Sequence, residues 1–265
     1  MKRTLALLGL LALLSTTAGT VAAPVAARTG AQPSDASPET AAAAPALYRV
    51  ITVRAAPGEF AAWLDQCDAI RTAYVKRGDR APFILRHTQG DHWDLMLIEP
   101  WGSFEEYLAP ERTAKRQGAA EEMALLRHWL DDAPAFREDL FAIGPPVETL
   151  EKLFAENGFY HVEMFHALPY KKAELLEQRR MENDYLARTG QPTNTIWVGI
   201  SGSDVDAFTI GFHESLATFA AGSPMTDEEK NAAAKEAGFE GVDQIAPYLR
   251  SLISRHQDTL AVPVD

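Results

Sequence analysis

Residues 48–103 recur as residues 160–215 at a constant offset of 112 positions, and this duplication constrains the fold more than any other feature of the chain. In that register Tyr48 falls on Tyr160, Val50 on Val162, Pro57 on Pro169, Leu64 on Leu176 and Gln66 on Gln178. Gly78 and Gly190, Gly90 and Gly202, Asp94 and Asp206, and Ser103 and Ser215 coincide as well. About a fifth of the positions are identical, and they include turn-forming Gly and Pro. Two unrelated amphipathic stretches would share apolar periodicity but not their turns.

Each copy reads the same way. Runs 48–54 and 160–166 are strand-like and end at a turn containing Pro. Phe60, Trp63, Leu64, Cys67 and Tyr74 then recur at helical spacing, with Gly78 as the stop; Leu175, Leu176, Met181, Tyr185 and Leu186 do so before Gly190. Strands are predicted at 83–87 and 93–99, and at 195–200 and 205–212, joined by hairpin-type turns. A helical region follows in each copy, over 119–129 in the first. In the second, Thr226 and Glu229 form a capping box, and Ile245, Tyr248, Leu249, Leu252 and Ile253 give a final apolar stripe. Short strands at 139–143 and 258–262 close the copies. The order is β-α-β-β-α-β twice, the ferredoxin-like motif.

Such a sheet covers one face with its own helices and must bury the other. The expected fold is therefore α+β: two tandem ferredoxin-like units, 47–146 and 158–265, packed sheet to sheet as an α+β barrel. Tandem units with an Ala-Pro turn after the first strand resemble the dimeric α+β barrel superfamily. That group includes antibiotic-biosynthesis monooxygenase-like, EthD-like and NIPSNAP-like families and the haem-binding chlorite dismutase-like proteins. The resemblance is one of pattern over 47–265. It brings no family-specific catalytic motif, so no functional residue is carried over.

The chain opens with Lys2-Arg3, an apolar run over 5–14 and small residues up to Ala27, the layout of a secretory signal peptide. The apolar run is too short to span a bilayer. Residues 1–27 are expected to be a cleaved leader, 28–46 a flexible linker rich in Ala, Pro and Ser, and the protein exported to the periplasm or medium. A single Cys excludes an intrachain disulfide framework. The formal net charge of −12 argues against nucleic acid or an anionic membrane surface as partner.

Strand alternation sorts candidate site residues. If the larger apolar set (Val162 and Met164; Phe208, Ile210 and Phe212) meets the helices, then His161, Glu163, Phe165, Ala207, Thr209 and Gly211 turn into the barrel. Thr195, Trp197 and Gly199 join them from the intervening strand. In the first copy Arg49, Ile51, Val53, Phe83, Leu85, His87, Leu95, Leu97 and Glu99 face inward by the same rule. The second copy then has the roomier interior, walled by Phe165 and Trp197 with Thr195 and Thr209 as polar contacts, suited to a small apolar or aromatic molecule. His161 and Glu163 lie two apart on one strand face, so a carboxylate can orient an imidazole as general base. The structural alternative is a solvent-facing edge pair or a mutually satisfied buried pair.

His87, Asp91, His92 and Asp94 surround one hairpin at no familiar ligand spacing, and His166 and His213 read as solvated strand-end residues. No metal and no cofactor is expected. The reading is an exported small-molecule-binding protein with a barrel-interior site in its second copy. The resemblance implies a cofactor-independent monooxygenase- or isomerase-like activity. Alternatives are a non-catalytic scaffold or partner-binding protein, or a haem protein using His161 or His87 as axial ligand. Whether two chains pair as a homodimer stays open.

Overall fold

The computed structural model describes residues 44–264. The expected leader and the linker up to residue 43 lie outside the described residues; Ala46, the last residue assigned to that linker, already belongs to a strand. The first half runs β1 (Ala46–Ala55), α1 (Phe60–Lys76), β2 (Phe83–Gln89), β3 (Leu95–Gly102), α2 (Phe104–Leu108), α3 (Pro110–Gly118), α4 (Ala120–Arg127) and β4 (Pro134–Gly144). A connecting helix α5 (Val147–Glu156) follows. The second half runs β5 (Phe159–Ala167), α6 (Lys172–Arg188), β6 (Thr195–Ser201), β7 (Ala207–His213), α7 (Leu216–Ala221), α8 (Asp227–Glu236), α9 (Ile245–Leu252) and β8 (Ile253–Pro263). No described helix is long and apolar enough to cross a membrane.

The duplication governs fine detail. Gly78 (φ 88°) and Gly190 (φ 70°) end α1 and α6 in the left-handed region that favours glycine. Ser103 and Ser215 cap α2 and α7 by accepting the backbone N–H three residues on. Asp94 and Asp206 each accept the N–H of the first strand's last residue, Ala55 or Ala167, at 2.9 Å. The expected capping box of Thr226 and Glu229 opens α8.

Within each half the strand order is that of a ferredoxin-like sheet, β4-β1-β3-β2 and β8-β5-β7-β6. The edges join crosswise, β2 to β8 and β4 to β6, so one chain closes an eight-stranded antiparallel barrel. At these two seams Gly90 and Gly202 let backbones approach closely: a Cβ there would meet the carbonyl oxygens of Asp258 and Asp139 at 2.0 and 2.6 Å.

The barrel interior reverses the expected facing of β1, β3, β5 and β7. Tyr48, Val50, Met96 and Ile98 from one half meet Tyr160, Val162, Met164, Phe208, Ile210 and Phe212 from the other in a single buried cluster. Trp197, stacked on Phe208 with centroids 4.9 Å apart, fills the centre. An eight-stranded barrel is just wide enough to be filled by side chains, and it takes the bulky set. The smaller set lies beneath the helices, which bring their own bulk: Ile51, Val53, Leu95 and Leu97 under Trp63, Ile70 and Tyr74, and Phe165 and Ala207 under Leu175 and Leu249. For β2 and β6 the expected facing is observed, with Phe83, Leu85 and Trp197 inside. Among the described residues the second copy's interior is therefore filled by its bulky apolar set, not by the smaller set expected to leave a hollow there.

Candidate functional site

His161, Glu163, Phe165 and Thr209 lie on the helix-facing side of the second sheet, not in the barrel. Thr195 and Trp197 do face inward, where Trp197 Nε1 donates to Thr195 Oγ1 at 3.0 Å and that hydroxyl donates to the Ile210 carbonyl. The six expected site residues thus fall into two groups on opposite faces of one sheet.

The outer group belongs to a cleft between the sheet and α6. β5 supplies His161 and Glu163; β8 sets Asp258 opposite Glu163 and His256 opposite Phe165. From β7 comes His213, with Thr209 bonded to Glu163 beneath. Helix α6 contributes Glu182 and Leu186 and α7 brings Thr218 and Phe219, while Arg179 of α6 is buried against Glu163. The loop after α6 is pinned because Asn183 bonds both the N–H and the C=O of Asn194, at 2.8 and 2.7 Å. The cavity is about 300 Å³, at the compact end of small-molecule sites. A larger groove of about 560 Å³ beside Met181 and Tyr248 has no histidine and a single carboxylate, Glu240.

Charges run through the cleft as a chain. Arg179, 1% exposed at its side chain, bonds Glu182 and lies 3.5 Å from Glu163 Oε2. Thr209 Oγ1 donates to that same oxygen at 3.1 Å. His256 Nε2 sits 3.3 Å from the other oxygen, Oε1, but out of line for a hydrogen bond, and this buried nitrogen has no partner. Asp258 Oδ1 meets His161 Nε2 at 3.0 Å, and its Oδ2 lies 3.5 Å from His256 Nδ1. The carboxylate that orients His161 is therefore Asp258, from the distant last strand; the expected orienter, Glu163, is held instead by Thr209 and Arg179.

These surroundings tune proton affinities in opposite directions. Burial opposes a charge on His161, but the Asp258 hydrogen bond and the charges of Glu163 and Asp258 outweigh it and raise its pKa above the ordinary imidazole value. Burial and the charge of His161 hold His213 below that value. Burial pushes Glu163 up, and His256, Arg179 and His161 bring it below the usual carboxylate range. Glu182 is raised, chiefly by burial.

The sequence reading missed His213 and misread His166. His213 lines the cleft with a buried, unpartnered Nδ1, its ring 5.1 Å from Phe219, which also lies 5.2 Å from His161. His166, expected at the solvated surface, is 5% exposed and bonded to the Asp204 carbonyl and to Gln257. Comparison of the copies could have found the cleft. At the positions of Glu163, Arg179, Glu182 and Thr209 the first copy has Ile51, Cys67, Ile70 and Leu97, all in an apolar core. Where the second copy has Gly211, the first has Glu99, whose side chain is hydrogen-bonded by Tyr74 and Trp101. A Cβ at Gly211 would approach Asn194 Oδ1 at 2.7 Å, so glycine keeps this end of the cleft open.

No protein-family model and no curated protein matches the sequence. Solved structures do match the fold. An anthrone oxidase-like protein is 11% identical with a TM-score of 0.55, covering 83% of this chain and 92% of its own. A candidate monooxygenase from Lactobacillus acidophilus is 7% identical, TM-score 0.46, over 84% and 95% of the two chains. A chlorite dismutase variant from Candidatus Nitrospira defluvii is 12% identical, TM-score 0.44, over 82% and 92%. The fold is shared with the anthrone oxidase-like protein, and one chain here supplies both halves of the eight-stranded barrel.

Haem, which chlorite dismutase-like proteins bind, does not fit the cleft described. A porphyrin and its substituents exceed a cavity of about 300 Å³, and His161 Nε2 is already engaged by Asp258 at 3.0 Å.

Proposed function

We propose that this cleft binds a compact aromatic or carbonyl compound and moves a proton on it. The observation that carries the reading is the replacement of Ile51, Cys67, Ile70 and Leu97 by Glu163, Arg179, Glu182 and Thr209 at equivalent places. Burying charge costs stability, and the first copy fills these four positions with apolar residues. The second copy keeps the charged set around a cavity, as a functional site would.

His213 is the base, since it lines the cleft beside Phe219 and burial with the charge of His161 favours its neutral imidazole. The His161 imidazole, whose charged form Asp258 and Glu163 favour, meets the substrate oxygen and stabilises negative charge there. Anthrone fits this chemistry, and the fold is shared with an anthrone oxidase-like protein. Loss of a methylene proton to His213 leaves an aromatic oxyanion. Dioxygen then oxidises the same carbon: the methylene loses both hydrogens and gains one oxygen, and the second oxygen atom leaves as water. The leader-like residues 1–27 support action outside the cytoplasm. Barrel closure needs no second chain, so a homodimer would form through another surface.

The test is anthrone oxidation followed by absorbance in aerated buffer, with wild type and His213→Ala. Wild-type turnover falling at least 100-fold in the variant is expected, a general base contributing about 10²–10⁴-fold. No wild-type turnover, or an undiminished variant, overturns the reading.

A further inference from the structure

We propose that His161, Glu163 and Asp258 form a site for a divalent first-row transition cation. The proposal deepens the reading of the cleft given above, because a cation there would take the place of the His161 proton in meeting the substrate oxygen.

The geometry is that of a ligand set. One donor atom each from His161, Glu163 and Asp258 lies within 4.8 Å of the others. His161 Nε2 and Asp258 Oδ1 are 3.0 Å apart. Donors bound to one zinc ion at about 2.0–2.2 Å sit roughly 3.0–3.5 Å from one another. Imidazole with carboxylate suits zinc, manganese or ferrous iron rather than magnesium or calcium.

Independent of those spacings, Glu163 is pre-oriented: Thr209 and Arg179 hold Oε2, and His256 lies 3.3 Å from Oε1. Such outer contacts are how proteins fix a ligating carboxylate. Charge agrees as well. Three carboxylates, Glu163, Glu182 and Asp258, face one guanidinium, Arg179, so a cation is favoured there once it displaces the proton from His161. Asp258 is 57% exposed at its side chain, which gives a cation a way in and leaves coordination positions facing the cleft.

The experiment uses untagged, chelator-stripped protein and zinc chloride as the probe, read by calorimetric titration and thermal unfolding. One zinc per chain is expected, with a Tm rise of about 5–10 °C at a hundredfold excess over Kd. Asp258→Asn and His161→Gln should weaken zinc at least tenfold, while His92→Gln, which alters an exposed histidine–aspartate pair elsewhere, should not. No zinc binding, or binding undiminished in Asp258→Asn and His161→Gln, overturns the site. Thermal unfolding without zinc shows whether each variant folds. Neither readout uses turnover: zinc binding without anthrone oxidation sinks the reaction alone, and His213-dependent oxidation without zinc binding sinks the metal alone.

Discussion

Cys67 and Arg179 occupy the same position on α1 and α6, 112 residues apart; the first is buried among hydrocarbon and the second ties Glu163 to Glu182. Arg179 is nearly as inaccessible as Cys67. Removing it strands two carboxylates. Arg179→Ala is expected to destabilise the protein by about 3 kcal/mol, as breaking a buried ion pair does. The combined change Glu163→Ile, Arg179→Cys, Glu182→Ile, Thr209→Leu copies the first half's layer into the second. It should be neutral or stabilising while abolishing anthrone oxidation. Urea unfolding of both variants beside the activity assay checks the contrast.

Gly211 keeps the cleft open, and its lost space can be measured. In Gly211→Ala the new methyl would crowd Asn194 Oδ1 at 2.7 Å and His213 Nε2 at 3.1 Å, both ends of side chains that can swing away. Stability should change by less than about 1 kcal/mol. Anthrone affinity should fall at least tenfold, read by equilibrium titration of the variant.

The solid barrel makes an opposite demand. A Cβ at Gly144 would lie 2.2 Å from the Trp197 ring, which cannot move within its stack on Phe208. Gly144→Ala is expected to cost about 1–3 kcal/mol by overpacking. Adding Trp197→Leu should recover part of that loss, and thermal unfolding of the single and double variants tests the coupling. Neither should alter the cleft's affinity for anthrone, because Trp197 lies on the other face of the sheet.

Acid sensitivity has one identifiable source in the first half. Burial opposes the charge on Asp139, but Arg137 and Arg49 outweigh it and hold its carboxyl below the ordinary range. A carboxylate whose folded pKa is depressed contributes stability that is whole above its unfolded pKa, near 4. That contribution fades as pH falls through the lower folded value. Asp139→Asn should therefore destabilise at neutral pH and flatten the loss of stability below about pH 4, as unfolding curves at pH 7, 4 and 3 would show.

The paired elements were legible because their marks are local. Gly78 and Gly190, Asp94 and Asp206, and Ser103 and Ser215 do the same jobs in each half, and each is visible within a few residues of sequence. Facing was not legible. Alternation separates Val162 and Met164 from His161 and Glu163 but leaves open which pair goes inside, and only closure of all eight strands decides it. Asp258 as partner of His161 depends on β5–β8 pairing between strands 97 residues apart in sequence. His213 was hidden differently: a lone strand-end histidine resembles a surface residue until it is set against Trp101, its counterpart, which stacks on Tyr107 where His213 meets Phe219.

The most direct measurement is a crystal structure of the protein soaked with anthrone. The expected result is ring density between Phe219 and Gly211, with the ketone oxygen toward His161 and the methylene toward His213. Density in the groove beside Met181 and Tyr248, or a cleft left without ligand while anthrone is still oxidised, would contradict the account.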